Sequence, residues 1–311
     1  MAPPNSSRWL RLPRWLRLTL QTIGALVLLL ALVAAGIWWY FTPTVQRTNG
    51  VVYGQRHGAP LTLDIIRPAH PNGLGVALMV SGGWKSGAPG GTPVWLMARL
   101  LRRGYTVFPV CHLSQPKATV MEIQDDMQRG IRFLRLHARE YGVDPARLGV
   151  TGGSAGGHLG LMLGTRGGPG NPEATDPIDR ESSAVQAVAV FYPVTDLLNL
   201  GASTENLHDG GPPRSFVKAF GPQSTNLAAW KEIGRSMSPI YHIHPHQPPM
   251  LIIHGGADTL VTADQSVRFQ AEARKLGQTV ELIIRPGRKH GWLLMVLDVG
   301  LFADWFDRYL K

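Results

Sequence analysis

Hydrophobic positions fall into three patterns along the chain. Between Ile23 and Phe41 nineteen consecutive residues carry no charged or strongly polar side chain, and none is charged between Arg17 and Arg47. About 20 such residues cross roughly 30 Å of hydrocarbon as a helix, so the run predicts a transmembrane segment. After Thr48 the pattern becomes short apolar runs: Leu61–Ile66, Val76–Val80, Tyr105–Val110, Leu148–Thr151, Val185–Tyr192, Met250–His254 and Val280–Ile284. Each is read as a strand buried on both faces. Helical periods separate most of them. Thr92-Pro93 starts one that reaches Arg103 before Gly104, and Met121–Tyr141 carries Ile123, Met127, Ile131 and Leu134 on one stripe. Thr262 with Gln265 is read as a capping box for a helix ended by Gly277. Strands alternating with helices predict an α/β domain, with a mostly parallel sheet covered on both faces. Residues 165–182 and 197–237 break the rhythm with Gly, Pro, Ser and Asn, and are read as surface loops or a cap over the carboxyl ends of the strands.

Charge and composition narrow the function classes. A chain of 311 residues with 44% hydrophobic and 17% charged residues builds a packed core. The formal net charge is +10, but Arg8, Arg11, Arg14, Arg17 and Arg47 supply half of it from an amino-terminal segment, 1–47, that contains no acid. The surplus left on residues 48–311 is mild and unclustered, so no nucleic-acid partner is expected. Four arginines before the apolar run and Trp38-Trp39-Tyr40-Phe41 at its end predict a single-pass signal-anchor, residues 23–41 in the bilayer. The amino terminus would then be cytoplasmic and the bulk of the chain periplasmic or extracellular. Val33-Ala34-Ala35 keeps a cleaved signal peptide, and hence a secreted product, as the rival. The single cysteine, Cys111, excludes an intrachain disulfide framework and any multi-cysteine metal site.

The chemistry concentrates at three places. Gly152-Gly153-Ser154-Ala155-Gly156 follows one expected strand and precedes a helix, the setting in which Gly-x-Ser-x-Gly lifts a serine hydroxyl clear of the sheet on a sharp turn. The helix amino terminus then favours the anion formed in acyl transfer. A phosphate loop or a plain turn is the alternative, although no Gly-Lys-Ser/Thr follows. Serine alone is a weak nucleophile, so a later acid and base are expected. Asp258 sits in the turn after Met250–His254, and His290 lies beyond the last strand. Asp196 is the substitute acid, and Asp264 is read as serving a helix terminus. Val80-Ser81-Gly82-Gly83-Trp84 follows an early strand, so the N–H groups of Gly82, Gly83 and Ala155 are the expected oxyanion hole.

These motifs resemble those of α/β-hydrolase carboxylesterases of the hormone-sensitive-lipase and feruloyl- or acetylxylan-esterase-like branches. The resemblance runs from Leu61 to the carboxyl terminus. Leu63-Asp64-Ile65-Ile66-Arg67-Pro68 is similar to the strand before the oxyanion loop, and Gly152–His158 to the elbow. His254-Gly255-Gly256-Ala257-Asp258 and His290-Gly291 are similar to the acid and base motifs. The resemblance implies an α/β-hydrolase fold, here placed after the one transmembrane helix read from the apolar run, and a triad of Ser154, Asp258 and His290. It further implies a small-molecule or glycan-linked ester as substrate, and no cofactor or metal. Asp126 matches a structural aspartate of those families. Two positions depart from their pattern. Val80 and Ser81 replace the His-Gly that opens the usual oxyanion loop, and Cys111-His112-Leu113 replaces the usual Tyr-Arg-Leu.

Other residues have plainer readings. The alternate histidines His242, His244 and His246 are interrupted by prolines and read as a solvated loop rather than a zinc site. His158 is read as packed behind the elbow, and Cys111 as buried and inert. A prolyl-peptidase-like enzyme and a non-catalytic binding protein of the same fold are the alternatives to an esterase.

Overall fold

A computed structural model describes residues 13–311, so Arg8 and Arg11 lie outside the described residues. The chain divides into two compact units, with the boundary between Thr42 and Pro43. The first holds one 28-residue helix, α1 (Arg14–Phe41), none of whose residues is buried. It is long and apolar enough to cross a membrane.

In the second unit an eight-stranded sheet has the order β1-β2-β4-β3-β5-β6-β7-β8. Its strands are β1 (Val45–Arg56), β2 (Ala59–Pro68), β3 (Gly75–Met79), β4 (Thr106–Val110), β5 (Leu148–Gly153), β6 (Ala187–Phe191), β7 (Met250–Gly255) and β8 (Val280–Arg285). β2 runs antiparallel to both β1 and β4, and every other neighbour pair is parallel. The helices are α2 (Ala98–Arg102), α3 (Val120–His137), α4 (Ala155–Arg166), α5 (Pro177–Arg180), α6 (Arg214–Phe220), α7 (Leu227–Ser236), α8 (Asp264–Lys275) and α9 (Met295–Leu310). This is the expected mostly parallel α/β architecture.

Why the central strands are apolar without alternation is visible in their packing. Val188 and Val190 of β6 enter one core with Ile123, Met127, Leu159 and Phe269 of α3, α4 and α8. Ala187, Ala189 and Phe191 enter a second core with Leu100 of α2 and Phe302 and Phe306 of α9. Successive residues point to opposite faces and both faces are covered, so every position must be apolar.

Several local expectations change. β1 is an extra strand, whose partly exposed alternation hid it. Arg47 belongs to this strand rather than to the amino-terminal segment: its guanidinium bonds buried Asp64 at 2.9 Å and the Thr92 carbonyl at 2.8 Å. The helix expected from Thr92 is a 3-10 turn at Val94–Met97 followed by the short α2. No capping box forms at Thr262. α8 has Ala263 at its N-cap, and the Gln265 side chain instead bonds the N–H groups of Thr195 and Asp196, both at 2.8 Å. A capping box does form at Thr119 and Glu122, ahead of α3. The 197–237 segment is not loop throughout, since it contains α6 and α7.

Candidate active site

Ser154 stands between β5 and α4 with φ 55° and ψ −121°, a backbone conformation that L-residues rarely adopt. Tight packing enforces this kink. A Cβ on Gly156 would come within 2.4 Å of the Met79 carbonyl oxygen, and one on Gly152 within 2.5 Å of the Gly156 backbone. Only glycine fits two residues either side of the serine. At the N-cap of α4, Ser154 faces the positive end of that helix.

The three residues selected from sequence as nucleophile, base and acid come together from three separate segments. His290, on the loop after β8, places Nε2 at 2.9 Å from Ser154 Oγ. Its Nδ1 lies 2.8 Å from Asp258 Oδ2. A carboxylate only accepts, so Nδ1 carries the proton, and Nε2 presents its lone pair to the serine hydroxyl. The other oxygen, Asp258 Oδ1, accepts from the N–H groups of Leu260 and Val261 at 3.0 Å each. Burial alone would raise the Asp258 pKa. Hydrogen bonds from His254 and His290, the attraction of His290 and the Val261 N–H outweigh it, and hold the carboxyl well below the usual range. Asp196 is not in this group. Its Oδ2 pairs with Arg268 Nη1 at 2.5 Å and its Oδ1 accepts from Tyr241 at 3.2 Å. Asp264 accepts from Arg268 Nε at 2.8 Å in the first turn of α8.

The expected oxyanion donors do not behave alike. Gly82 N–H donates to the Lys85 carbonyl at 2.9 Å, and Lys85 N–H returns a bond of 3.0 Å to Gly82. The residues between them, Gly83 and Trp84, have φ 54° and 56°, which makes this a tight two-residue reverse turn. Gly82 is therefore corrected: its N–H is committed inside the turn. Gly83 and Ala155 remain, and the latter's N–H is one of the first-turn donors that a helix cannot satisfy. A cleft of about 660 Å³ opens here, lined by Gly83, Trp84, Ser154, Phe216, Leu260 and His290, with Lys85 and Glu205 as its charged members.

His112, Trp84, His254 and Tyr192 support the site without having been given that role from sequence, whereas His158 is packed behind the elbow as expected. His112 Nε2 lies 2.9 Å from Ser81 Oγ while its Nδ1 lies 3.0 Å from the Leu113 carbonyl. The carbonyl can only accept, so Nδ1–H donates to it and Nε2 accepts from the serine hydroxyl. Burial lowers the His112 pKa and keeps the ring neutral for this. The two departures from the resembling families thus meet in space: the histidine missing at Val80 is matched by one arriving from the neighbouring segment. Trp84 Nε1 bonds His158 Nδ1 at 3.3 Å, and His158 Nε2 bonds the Met237 carbonyl at 2.7 Å. His158 is fully buried behind the elbow, and burial pushes its pKa down to about 4. His254 lies 3.5 Å from Asp258, with its ring fixed by Ser266 and the Val261 carbonyl. Tyr192 packs against His290 with ring centres 4.6 Å apart and the rings tilted by 58°, and burial together with Asp258 pushes its pKa up to about 12. Elsewhere, His242 bonds the Ser236 carbonyl, and the His246 N–H bonds His244 Nδ1. Burial raises the Cys111 thiol pKa.

With this geometry in place, the decisive comparison is a match of residues 63–273 to the BD-FAE family profile. The chain belongs to the BD-FAE family. Esterase LipQ of Mycobacterium tuberculosis is 31% identical over 63% of this chain and 45% of its own length. This BD-FAE chain spans about half the length of the curated relatives it matches first. Among solved structures, a carbohydrate esterase from gut microbiota superposes with TM-score 0.70 at 22% identity, covering 85% of this chain and 96% of its own. Thermogutta terrifontis esterase 2, in a form phosphoramylated by tabun, gives TM-score 0.63 at 25% identity, covering 86% and 93%. Both share the α/β-hydrolase fold.

Proposed function

We propose that this BD-FAE chain is a membrane-anchored serine hydrolase that cleaves a carboxylic ester through an acyl-enzyme. The unbroken hydrogen-bond path from Ser154 Oγ through His290 to Asp258 carries the reading. Ser154 Oγ attacks the ester carbonyl as His290 Nε2 takes its proton, forming the C–O bond of a tetrahedral intermediate. The Gly83 and Ala155 N–H groups receive the oxygen anion. Collapse expels the alcohol, which leaves with the proton from His290. Water, deprotonated by the same imidazole, then attacks the acyl-Ser154 carbonyl, releases the acid and restores the serine. Asp258 holds the Nδ1 proton and stabilises the imidazolium at each step. The names of the esterase relatives and of the carbohydrate esterase neighbour support an ester substrate, including one attached to a glycan.

The anchor half of the proposal places α1 across the bilayer, with Arg14 and Arg17 on the cytoplasmic side and the sheet-containing unit outside. It is uncleaved in this reading. The catalytic half is tested by treating the full chain in detergent with a fluorophosphonate probe and with chromogenic esters. Labelling and turnover lost together in Ser154→Ala, at an unchanged thermal midpoint, support it. A folded wild-type protein that neither labels nor turns over an ester overturns it in favour of a binding role.

A further inference from the structure

A second cavity, of about 330 Å³, adjoins the catalytic cleft at the carboxyl ends of β3, β5 and β6, bounded by the turn at Val94–Met97 and the start of α9. The two spaces share Ser81, Gly153 and Tyr192, so the cavity reaches the residue before the nucleophile. Its walls include Leu78, Phe191, Leu96 and three methionines, Met79, Met97 and Met295, whose unbranched side chains adapt to the shape of what they touch. Among the described residues no charged one lines it, whereas the cleft carries Lys85, Gln115, Glu205 and Ser215. Two of the cavity's hydroxyls already have partners. Ser81 donates to His112 at 2.9 Å, and Tyr192 donates to the Met295 thioether at 3.2 Å. A carboxylate, phosphate or sugar placed there would give up its water for few partners, while an alkyl chain would gain from the transfer.

Tyr192 stands between the two spaces. Its φ of 32° is a costly conformation for a bulky side chain, and its N–H is fixed to the Ile253 carbonyl at 2.9 Å. The ring packs on His290 in the cleft, while the hydroxyl reaches Met295 in the cavity wall. Which half of an ester each space receives follows from proton transfer. The leaving oxygen must come within reach of His290 Nε2, which returns the proton to it. His290 lines the cleft and not the cavity. The alcohol therefore leaves on the cleft side, and the acyl substituent is directed away from the imidazole, over Gly153 and past Tyr192.

We propose that the apolar cavity is the acyl-chain pocket and that it selects esters of medium-chain fatty acids over acetates. The inference deepens the esterase reading of Ser154 and rests on it. A dry cavity of about 150 Å³ takes up one benzene, so by the same ratio this one has room for roughly a dozen carbon atoms. Each CH₂ buried in it raises kcat/KM by up to about threefold until the space is filled.

The test uses the full chain in detergent with nitrophenyl esters of even-numbered acids from acetate to tetradecanoate. From acetate to octanoate kcat/KM is expected to rise at least tenfold; a smaller rise, or a maximum at acetate, overturns the proposal. Leu96→Trp fills the cavity from the turn and should lower kcat/KM for octanoate at least tenfold while leaving that for acetate within twofold. Ala88→Phe, which fills it from the preceding loop, repeats the measurement should Leu96→Trp fail to fold. A preference for octanoate that survives in the filled variants places the chain in the cleft and overturns the pocket, as does an equal loss on both esters. A terminally fluorinated decanoate followed by fluorine NMR gives a readout independent of turnover, a bound resonance that Leu96→Trp removes. That resonance without turnover of any ester counts against the esterase reading alone, and its absence from the wild-type protein overturns the pocket.

Discussion

In the proposed mechanism two aspartates compete for the role of triad acid, and their partners favour Asp258. Asp258 is bonded to His290 at 2.8 Å, whereas Asp196 is neutralised by Arg268 at 2.5 Å. Asp258→Asn should reduce kcat by about 10³–10⁴-fold, because the amide favours the wrong imidazole tautomer. Asp196→Asn should leave kcat within a few-fold while lowering the unfolding midpoint, since it strips Arg268 of one of its two carboxylates. Steady-state kinetics with thermal melts on both variants checks this. Ser81 and His112 make a third case. They hold the oxyanion loop without lying among the proton-transfer groups, so Ser81→Ala and His112→Phe should each lower kcat by about 10–100-fold with little change in KM. A rise in KM at constant kcat would instead make them substrate-binding residues. His158 bears on stability rather than rate. Its pKa is pushed down to about 4, against about 6.5 in an unfolded chain. Between those values the unfolded state binds the extra proton, so stability falls on acidification from about pH 6.5 to 4 and levels off below. Urea titrations should lose about 3 kcal/mol over that window through this residue, and His158→Gln should flatten that part of the slope.

At the level of elements, the elbow is a packing device as much as a chemical one. Gly156 must pass the Met79 carbonyl with no Cβ, and its N–H donates to the Ser81 carbonyl at 3.0 Å, tying α4 to the oxyanion loop. Gly156→Ala should therefore cost several kcal/mol or move the loop, seen as lost activity at a lowered midpoint. Thr119→Ala, which removes the α3 cap, should cost only about 1 kcal/mol and leave kcat intact. Guanidinium unfolding and a matched ester assay distinguish the two. The same contrast explains what was legible in the sequence. β5, β6 and β7 could be read because burial on both faces leaves only apolar residues, a signal that survives without partners. The elbow was legible because its glycines answer a local steric demand. β1 was not, since an edge strand half in water alternates weakly and passes for a linker. Gln265 was misread as a cap because its real partners, Thr195 and Asp196, lie about 70 residues away. The Ser81–His112 bond joins loops after β3 and β4, adjacent only once those strands pair in parallel. Gly82 failed as a donor for a converse reason, because the reverse turn that glycines permit consumed its N–H.

Taken whole, the proposed anchor and the proposed chemistry fall in different units of the chain. Both hydrophobic cores lie between Tyr53 and Leu310, and α1 contributes no buried side chain to either. Releasing the unit that starts at Pro43 should accordingly leave its thermal midpoint and its kcat on a soluble ester unchanged, while membrane retention is lost. A midpoint lowered by several degrees would mean that α1 supports the fold. Whether the cell performs that release itself turns on Val33-Ala34-Ala35. Small residues at that point suit a signal peptidase, but the apolar run continues through Gly36, Ile37 and the aromatic exit at Trp38–Phe41. A helix already long enough to span holds such a site within the hydrocarbon rather than at the surface where cleavage occurs. Mass spectrometry of membrane-extracted protein should therefore find peptides from both sides of Ala35 in one intact chain. Protease applied to the outer face should degrade the catalytic unit and spare Arg14 and Arg17. A mature terminus at Gly36 would instead make the protein secreted, and protection of the catalytic unit would reverse its orientation.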